Sequence, residues 1–339
     1  MASVHLVGSV GLDTVPEVFA AAGKYLGPYL KRVPDGEVGG RRLWVSWQYP
    51  LLRASPFLQA EGVPSGSGVG FPALRVGDDV NPAEIRFGEL GYSREARASY
   101  LDFLVARERG ELPSGVRFQV CLPTPYAVIL SFCTPAANPL ILPAYEAAML
   151  REVAAVCAAI PHQDLCLQWD VCHEMLTWDG RWPRRQPYPG MEQQFADAFA
   201  RLAAAVPGDV ELGFHLCYGD FEGRHFVDPQ DTTKMVELAN LILGNVGRQV
   251  AYIHMPVPIA RDDDPYFAPL RNLELPPATE LYLGLVHAQD GVAGTRRRIA
   301  AARRHVALFG IASECGIARA RKPDVVAEFL RVYAGAAAD

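Results

Sequence analysis

Eight short apolar runs separated by longer amphipathic stretches are the feature of this sequence that most constrains its fold. Most runs are apolar along nearly their whole length, which is typical of parallel strands buried on both faces. The predicted strands cover residues 4–10, 30–34, 116–122, 164–172, 210–217, 250–256, 281–288 and 305–312. The predicted helices cover residues 15–26, 94–108, 143–159, 192–205, 232–243, 294–304 and 324–334. This alternation indicates an α/β fold, a (β/α)8 TIM barrel with insertions in its βα loops.

The 339-residue chain is longer than the roughly 250 residues that such a barrel needs. The surplus falls in residues 41–91, 177–189 and 261–277, which all come after predicted strands and therefore on the face where barrels have active sites. We expect residues 1–339 to form a single barrel domain, with 41–91 as an insertion or lid between the second and third strands. The main alternative, a doubly wound open sheet, lacks its glycine-rich phosphate turn.

Charge and composition exclude several classes of protein. The net charge is −6 with a pI near 5.8, and Lys and Arg form no basic face, so we expect no nucleic-acid partner. No run approaches the roughly 18 apolar residues of a membrane span, and we expect no secretory signal and no membrane partner. Seven cysteines at scattered spacings favour a reducing compartment. The sequence therefore predicts a cytoplasmic protein with a small-molecule substrate.

Cysteine and histidine residues cluster at predicted strand ends. His215 and Cys217 are two apart on the fifth strand, so they share a face and can reach one metal ion. His254 and Cys315, at the ends of the sixth and eighth strands, would project into the same barrel mouth. These four residues make a Cys2His2 set suited to zinc. The alternative is that Cys217 and Cys315 are small apolar core residues.

Carboxylates and further polar residues also fall at strand ends. Glu37 and Asp170 would face the pocket, where they could bind an ammonium group or act as general acid or base. Asp35 fits a Pro-Asp-Gly turn. Tyr218 and His287 are candidate proton carriers, although His287 could instead be a core histidine bonded to backbone. The remaining histidines predicted to be structural or on the surface are His5, His162, His225 and His305.

In the type and order of these residues, the chain resembles the catalytic barrel of cobalamin-independent methionine synthase. The wider group includes uroporphyrinogen decarboxylase and the zinc-dependent corrinoid methyltransferases. The resemblance is distant, spans nearly the whole chain, and has the His-x-Cys and the late Cys-Gly as its specific part. The matching segments are Val7-Gly8-Ser9, Pro34-Asp35-Gly36-Glu37, Thr124-Pro125, Leu167-Gln168-Trp169-Asp170, His215-Leu216-Cys217-Tyr218 and Glu314-Cys315-Gly316.

The resemblance implies a site and a chemistry. It implies that zinc is held by the histidine and two cysteines of the specific motifs. It implies that Ser9, Glu37 and Asp170 lie where the family holds the carboxylate and amino ends of homocysteine. The family's zinc binds the acceptor thiol as a thiolate, which takes a methyl group from a folate or a corrinoid. A corrinoid protein is therefore an expected partner if the donor is a corrinoid.

Two departures from the family pattern alter the expected substrate. His254 stands where the family has a glutamate ligand, which would make the metal a stronger Lewis acid and a bound thiolate a poorer nucleophile. The family's Asp-Glu-Pro reads Asp170-Val171-Cys172, and Trp169 beside it suggests contact with a flatter or more apolar substrate. We therefore expect a substrate other than that of methionine formation.

These observations lead to one functional expectation and two alternatives. The first is a zinc-dependent methyl or alkyl transferase that acts on a thiol or a related soft nucleophile. The second is a hydrolase or lyase on the same barrel, which would use metal-bound water or the acid–base set Asp170, His173 and His287. The third is a barrel that binds a ligand without turnover, against which the reactive residues at one mouth argue.

Overall fold

The strands of the computed structural model form a barrel sheet and a separate hairpin. The structure describes residues 3–65, 70–220, 223–318 and 323–338. In chain order the strands are β1 (Val4–His5), β2 (Arg32–Pro34), β3 (Leu58–Pro64), β4 (Pro72–Val76), β5 (Arg117–Pro123), β6 (Leu165–Val171), β7 (Glu211–Leu216), β8 (Tyr252–Pro256), β9 (Glu280–Val286) and β10 (Gly310–Ser313).

Eight of these strands pair in parallel to make the barrel. Their order in the sheet is β1-β10-β9-β8-β7-β6-β5-β2, so strands that follow one another along the chain are neighbours. A parallel bridge between Val4 and Leu30 joins the two ends of this order. The predicted (β/α)8 barrel is confirmed.

Helices lie between successive barrel strands. The α-helices are α1 (Val15–Leu26), α2 (Tyr49–Arg53), α3 (Tyr92–Glu108), α4 (Pro125–Phe132), α5 (Asn138–Ala159), α6 (His173–Asp179), α7 (Met191–Ala204), α8 (Thr233–Asn245), α9 (Asp264–Phe267), α10 (Gly291–Ala302) and α11 (Pro323–Ala337). Short 3₁₀ helices occur at Gly27–Tyr29, Gly39–Leu43, Ser46–Gln48, Pro82–Glu84, His162–Asp164 and Ala268–Asn272. In the part of the chain that the structure describes, no helix is both long and apolar enough to cross a membrane.

Residues 41–91 lie between β2 and α3 and have structure of their own. They include α2 and the antiparallel hairpin of β3 and β4. The Trp47 ring packs edge-on against Tyr92 of α3, with 4.7 Å between ring centroids. That this segment is an insertion or lid on a single domain of residues 1–339 stays a prediction.

The structure differs from the sequence-based elements mainly in length. The first predicted strand, 4–10, is regular only over Val4–His5, and further along Val10 N donates outside any regular strand to the Gly36 carbonyl oxygen (3.1 Å). The last predicted strand begins at Gly310 rather than at residue 305, because residues 303–309 are needed to leave α10. Helices α4 and α6 were not predicted, since both are short and buried almost all round and so lack an amphipathic period.

Two hydrophobic clusters fill the molecule. The larger cluster lies between the strands and the surrounding helices. The smaller cluster contains Val7, Cys166, Tyr252, Tyr282 and Ala312. Because side chains alternate along a strand, residues one position apart are assigned to opposite sides of the barrel wall. This alternation decides which functional side chains can reach the barrel mouth.

Candidate metal centre and active site

One nitrogen donor and two sulfur donors meet at the carboxyl end of the barrel. His215 lies in β7, and Cys217 and Cys315 lie just beyond the ends of β7 and β10. Their ligand atoms all lie within 4.8 Å of one another, and the two sulfur atoms are 3.7 Å apart. All three side chains are buried. The two-residue spacing on β7 and the order of the strands thus bring these three predicted ligands together.

His254 lies behind His215 and orients its ring. His254 Nε2 donates to the carbonyl oxygen of Ser313 (3.0 Å), so the hydrogen-bond pattern assigns the lone pair to its Nδ1. His215 Nδ1 donates to this lone pair (2.7 Å), so Nε2 is the nitrogen of His215 that could bind a metal ion. Burial lowers the pKa of His254 to about 3, so the ring stays neutral. The structure does not bring His254 into the group of three ligand atoms.

A third thiol lies beside Cys217. Cys172 follows β6 and is fully buried. Its hydrogen bond with Cys217 raises the pKa of Cys217 well above the ordinary value, and burial acts in the same direction. The backbone N–H of Gly219 donates to Cys217 Sγ (3.3 Å) and would stabilise a thiolate there. A bound cation would oppose this rise in the pKa of Cys217 and would favour the thiolate.

The donor set at this centre fits zinc. Zinc binds imidazole nitrogen and cysteine sulfur at about 2.0 to 2.3 Å, and catalytic zinc keeps one position for substrate beside three protein ligands. The buried His215, Cys217 and Cys315 offer three such ligands. Mg²⁺ and Ca²⁺ prefer oxygen ligands, so the chemistry of these side chains favours zinc over either of them.

Asp170, at the end of β6, faces the barrel mouth. Its Oδ1 accepts a hydrogen bond from Gln168 Nε2 (2.8 Å), and its Oδ2 accepts one from Trp44 Nε1 (3.2 Å). The segment of residues 41–91 therefore reaches the mouth through its tryptophan. The neighbouring Trp169 has the opposite orientation on β6 and is buried in the larger core between strands and helices. Of these two predicted substrate contacts, the structure places only Asp170 at the mouth.

Glu37 lies in the loop after β2 in a restricted backbone conformation. Its φ is 49°, and its N–H donates to Asp35 Oδ1 (2.9 Å). Asp35 also accepts hydrogen bonds from Arg41 (2.8 Å) and the Ser99 hydroxyl (2.7 Å), so it organises the turn. Glu37 and Trp44 line a cleft of about 450 Å³, including its open solvent. A non-glycine residue with positive φ costs about 1 kcal/mol or more and is common at functional sites.

The Ser9 hydroxyl lies against Gly316, next to the metal centre. A Cβ at Gly316 would lie 2.1 Å from Ser9 Oγ, so this close approach requires glycine. Ser9 Oγ is buried and has no hydrogen-bond partner within the residue ranges described above. Because buried hydroxyl groups normally form hydrogen bonds, this one is suited to bind a ligand beside Cys315.

Tyr218 and His287, the predicted proton carriers, are both held by hydrogen bonds. The Tyr218 hydroxyl donates to Asp179 (2.8 Å), and burial raises its pKa well above the ordinary value. His287 Nε2 donates to the Val257 carbonyl oxygen (2.9 Å), and burial lowers its pKa to about 3. His287 Nδ1 faces Glu314 at 4.0 Å. Neither Tyr218 nor His287 titrates near neutral pH in this environment.

His225, expected to be structural or on the surface, has its side chain enclosed near the metal centre. Its Nδ1 bonds to Asp228 (3.0 Å), and its Nε2 lies 3.7 Å from a carboxylate oxygen of Glu314. Burial alone would lower its pKa, but the bond to Asp228 and the charge of Glu314 raise it above the ordinary value. A histidine whose pKa is raised by neighbouring carboxylates therefore lies beside Glu314, the residue that precedes Cys315.

Two residues that organise the site were missed by sequence reasoning. Gln168 donates to Asp170 and also bonds to His5 (3.0 Å) and the Tyr252 hydroxyl (2.8 Å) inside the barrel. Its position two residues before Asp170 was a usable signal, because the two share a face of β6. Trp44 comes from an irregular loop, and no local periodicity predicts where its side chain goes.

Comparisons with known proteins find similarity in structure and not in sequence. Neither the models of known protein families nor the curated proteins include a match to this chain. A B12-independent methionine synthase from Shewanella sp. W3-18-1, solved in complex with selenomethionine, has a TM-score of 0.65 at 11% identity and covers 98% of this chain and 97% of its own. A methyltransferase from Methanosarcina mazei has a TM-score of 0.54 at 11% identity, and the match covers 97% of this chain and 93% of the methyltransferase chain.

The likeness to these structures shows the fold. It extends over nearly the whole length of this chain and of both neighbours, so the barrel and its added segments are compared together. The structure from Shewanella carries the name of the family that the sequence motifs resemble. Because the identities are low, conclusions about activity depend on the residues at the mouth.

Proposed function

We propose that this chain is a zinc-dependent transferase that moves a methyl or other alkyl group to a thiol or a related soft nucleophile. The observation that carries the proposal is the buried group of His215, Cys217 and Cys315, with ligand atoms within 4.8 Å of one another. The structural neighbours include a methionine synthase and a methyltransferase, which supports methyl transfer as the reaction class.

The residues around the centre prepare it for this chemistry. Zinc, when bound, supplies a Lewis acid that makes a coordinated thiol lose its proton. His254 holds the ring of His215 by a hydrogen bond, and Gly219 N–H points at Cys217 Sγ. Both contacts fix ligand positions before a metal arrives, which lowers the cost of ordering them on binding.

Carboxylates and a hydroxyl at the mouth suit a substrate with polar ends. Asp170 is held by two hydrogen-bond donors, and Glu37 lines the neighbouring cleft. Their negative charges would bind an ammonium group of the substrate. Ser9 Oγ, which lies close to the metal centre, would donate to a carboxylate or another acceptor.

We propose three protein ligands, with His254 as a positioning residue. Both ring nitrogens of His254 are used, one by His215 and one by Ser313. The four-ligand set that includes His254 stays a prediction, and it would require both of these hydrogen bonds to break. Three ligands leave a position for the acceptor thiol.

The methyl donor follows from the resemblance alone. A folate or a corrinoid is the proposed donor, and a corrinoid would be delivered by a corrinoid protein. Burial lowers the pKa of both His173 and His287, which makes them weak bases and supports transfer over the form of the hydrolase or lyase alternative that uses these histidines.

The test is methyl transfer by the zinc-loaded protein from methylcobalamin or methyltetrahydrofolate to a panel of thiols that includes homocysteine. We expect a methylated thiol, detected by mass spectrometry, from the parent protein. Cys217→Ser should abolish the product, and Cys157→Ser, which changes a buried cysteine on α5, should retain it. Zinc-containing protein that transfers no methyl group to any thiol would contradict the proposal.

A further inference from the structure

Arg185, in the loop after α6, is a partly enclosed cation whose guanidinium donates hydrogen bonds to neutral groups. Its Nε donates to His173 Nδ1 (2.9 Å), and its terminal nitrogens donate to the carbonyl oxygens of Arg184 (2.8 Å) and Leu130 (2.6 Å). Among the residues that the structure describes, no carboxylate forms an ion pair with it. Burial lowers the pKa of Arg185, so this environment disfavours its charge. Enclosed charges are normally paired, which points to a partner from outside the chain.

Two acidic residues near Arg185 in sequence, Asp179 and Glu174, are not among the charges that act on its guanidinium within the described part of the chain. Asp179 pairs with Arg181 (2.7 Å). Glu174 is buried, and burial raises its pKa to about 7, while a hydrogen bond with Thr124 opposes that rise. Neither of these two acids offsets the positive charge of Arg185.

The guanidinium of Arg185 is held in place before any ligand binds. Its Cζ lies 5.5 Å from the centre of the Trp182 ring, and Trp182 is stacked on Phe226 with 4.7 Å between centroids and 9° between planes. Arg185 N and Gln186 Nε2 both donate to the Trp182 carbonyl oxygen (2.9 Å each). Each terminal nitrogen of Arg185 has two hydrogens and uses one, so two N–H groups remain for an oxyanion.

The aromatic stack connects Arg185 to the metal centre. Phe226 lies against Gly219, where a Cβ would stand 2.2 Å from its ring. The N–H of Gly219 donates to Cys217 Sγ. Arg185 thus contacts Trp182, Trp182 contacts Phe226, and Phe226 packs against Gly219. Gly219 in turn bonds to Cys217, one of the candidate metal ligands.

We infer that Arg185 binds an oxyanion group, a carboxylate or a phosphate, of the small molecule that uses the metal centre. The inference rests on the proposed function in one respect, that this molecule is the acceptor or the methyl donor of the transferase. A pre-positioned arginine presents two N–H groups in a fixed arrangement to two oxygen atoms of a carboxylate or a phosphate, a role for which lysine is a poor substitute.

The test is a calorimetric titration of the full-length protein with succinate and, separately, with inorganic phosphate, followed also by tryptophan fluorescence because Trp182 stacks on the guanidinium. We expect one anion per chain, and the anion that binds identifies the group as carboxylate or phosphate. Arg185→Gln should weaken binding at least about tenfold. Arg184→Gln, which changes the exposed neighbour, should bind as the parent does.

Binding by neither anion, or equal binding by the parent and Arg185→Gln, would overturn the inference. Arg185→Lys keeps the positive charge but loses the paired N–H donors of the guanidinium, so it should bind the anion with intermediate affinity. Thermal unfolding checks that each variant is folded. These titrations need neither zinc nor methyl transfer. A failure of the transferase proposal and a failure of anion binding would therefore be separate results.

Discussion

The hydrogen bond between His215 and His254 decides which nitrogen of His215 can bind a metal. Because His254 Nε2 donates to Ser313, its Nδ1 can only accept, and His215 must donate through its own Nδ1. A sequence cannot reveal this arrangement, since it places both histidines at strand ends with equal access to the mouth. The sequence therefore identified His254 as a site residue and predicted that it is a metal ligand, whereas its hydrogen bonds favour the role of positioning the His215 ring.

His254→Leu removes this support and should lower zinc affinity by about 10- to 100-fold. His254→Gln keeps an acceptor and should lower it less. Both variants should still bind about one zinc at saturating metal, as measured by competition with a chelator. Complete loss of zinc from both, as expected for a missing ligand, would contradict the supporting role.

Glu174 is a buried carboxyl whose ionisation works against folding. Burial raises its pKa from 4.5 to about 7. Below pH 4.5 it is protonated in both states. As the pH rises from 4.5 to 7, the unfolded chain loses the proton first, so the free energy of unfolding falls, and above pH 7 the cost stays constant.

Glu174→Gln should therefore raise the free energy of unfolding at pH 8 by on the order of 3 kcal/mol. The gain should shrink as the pH falls towards 4.5. Urea unfolding at several pH values measures both effects, and Glu108→Gln, at an exposed position, should show neither. A gain that is the same at pH 5 and pH 8 would show that ionisation of Glu174 is not the cause.

At the scale of elements, the sequence predicted which segments form strands better than where the strands end. Apolar runs mark buried strands, so all eight barrel strands were located, but only two residues of the run 4–10 are regular strand. Helices α1 and α7 were predicted within a residue because their amphipathic faces are clear. Helix α6 was missed because its residues are buried almost all round.

The segment of residues 41–91 is an element whose role depends on one tryptophan. The indole N–H of Trp44 donates to Asp170 in a partly buried setting, and the Trp44 backbone has a φ of 52°. Composition indicated an irregular segment there but not which side chain reaches the mouth. The contact with Asp170 is what ties this segment to the candidate site.

Trp44→Phe should lower the free energy of unfolding by about 1 kcal/mol, because it leaves Asp170 with one donor fewer. Trp178→Phe is the matched control, since Trp178 Nε1 donates to Glu237 (3.1 Å) at an exposed position, and it should cost less. Chemical denaturation of the three proteins measures the difference. Equal effects from the two substitutions would contradict a special role for the Trp44 contact.

At the scale of the whole molecule, the barrel explains why distant residues make one site. Neighbouring parallel strands all end at one face, so β7 and β10 bring His215 and Cys315 together across 100 positions of sequence. This much follows from strand order and was predictable. The pairing of Arg185 with an aromatic stack was not, because it depends on the path of two loops without periodic sequence.

Whether this barrel holds zinc is decided by the metal content of protein purified without added metal, determined by mass spectrometry beside Cys217→Ser and Cys315→Ser. We expect about one zinc per chain in the parent protein and its loss in both variants, because each removes one of three ligands whose atoms lie within 4.8 Å of one another. Cys157→Ser should keep its zinc. A parent protein that neither contains nor takes up zinc, or two variants that both retain their zinc, would contradict a zinc site formed by His215, Cys217 and Cys315.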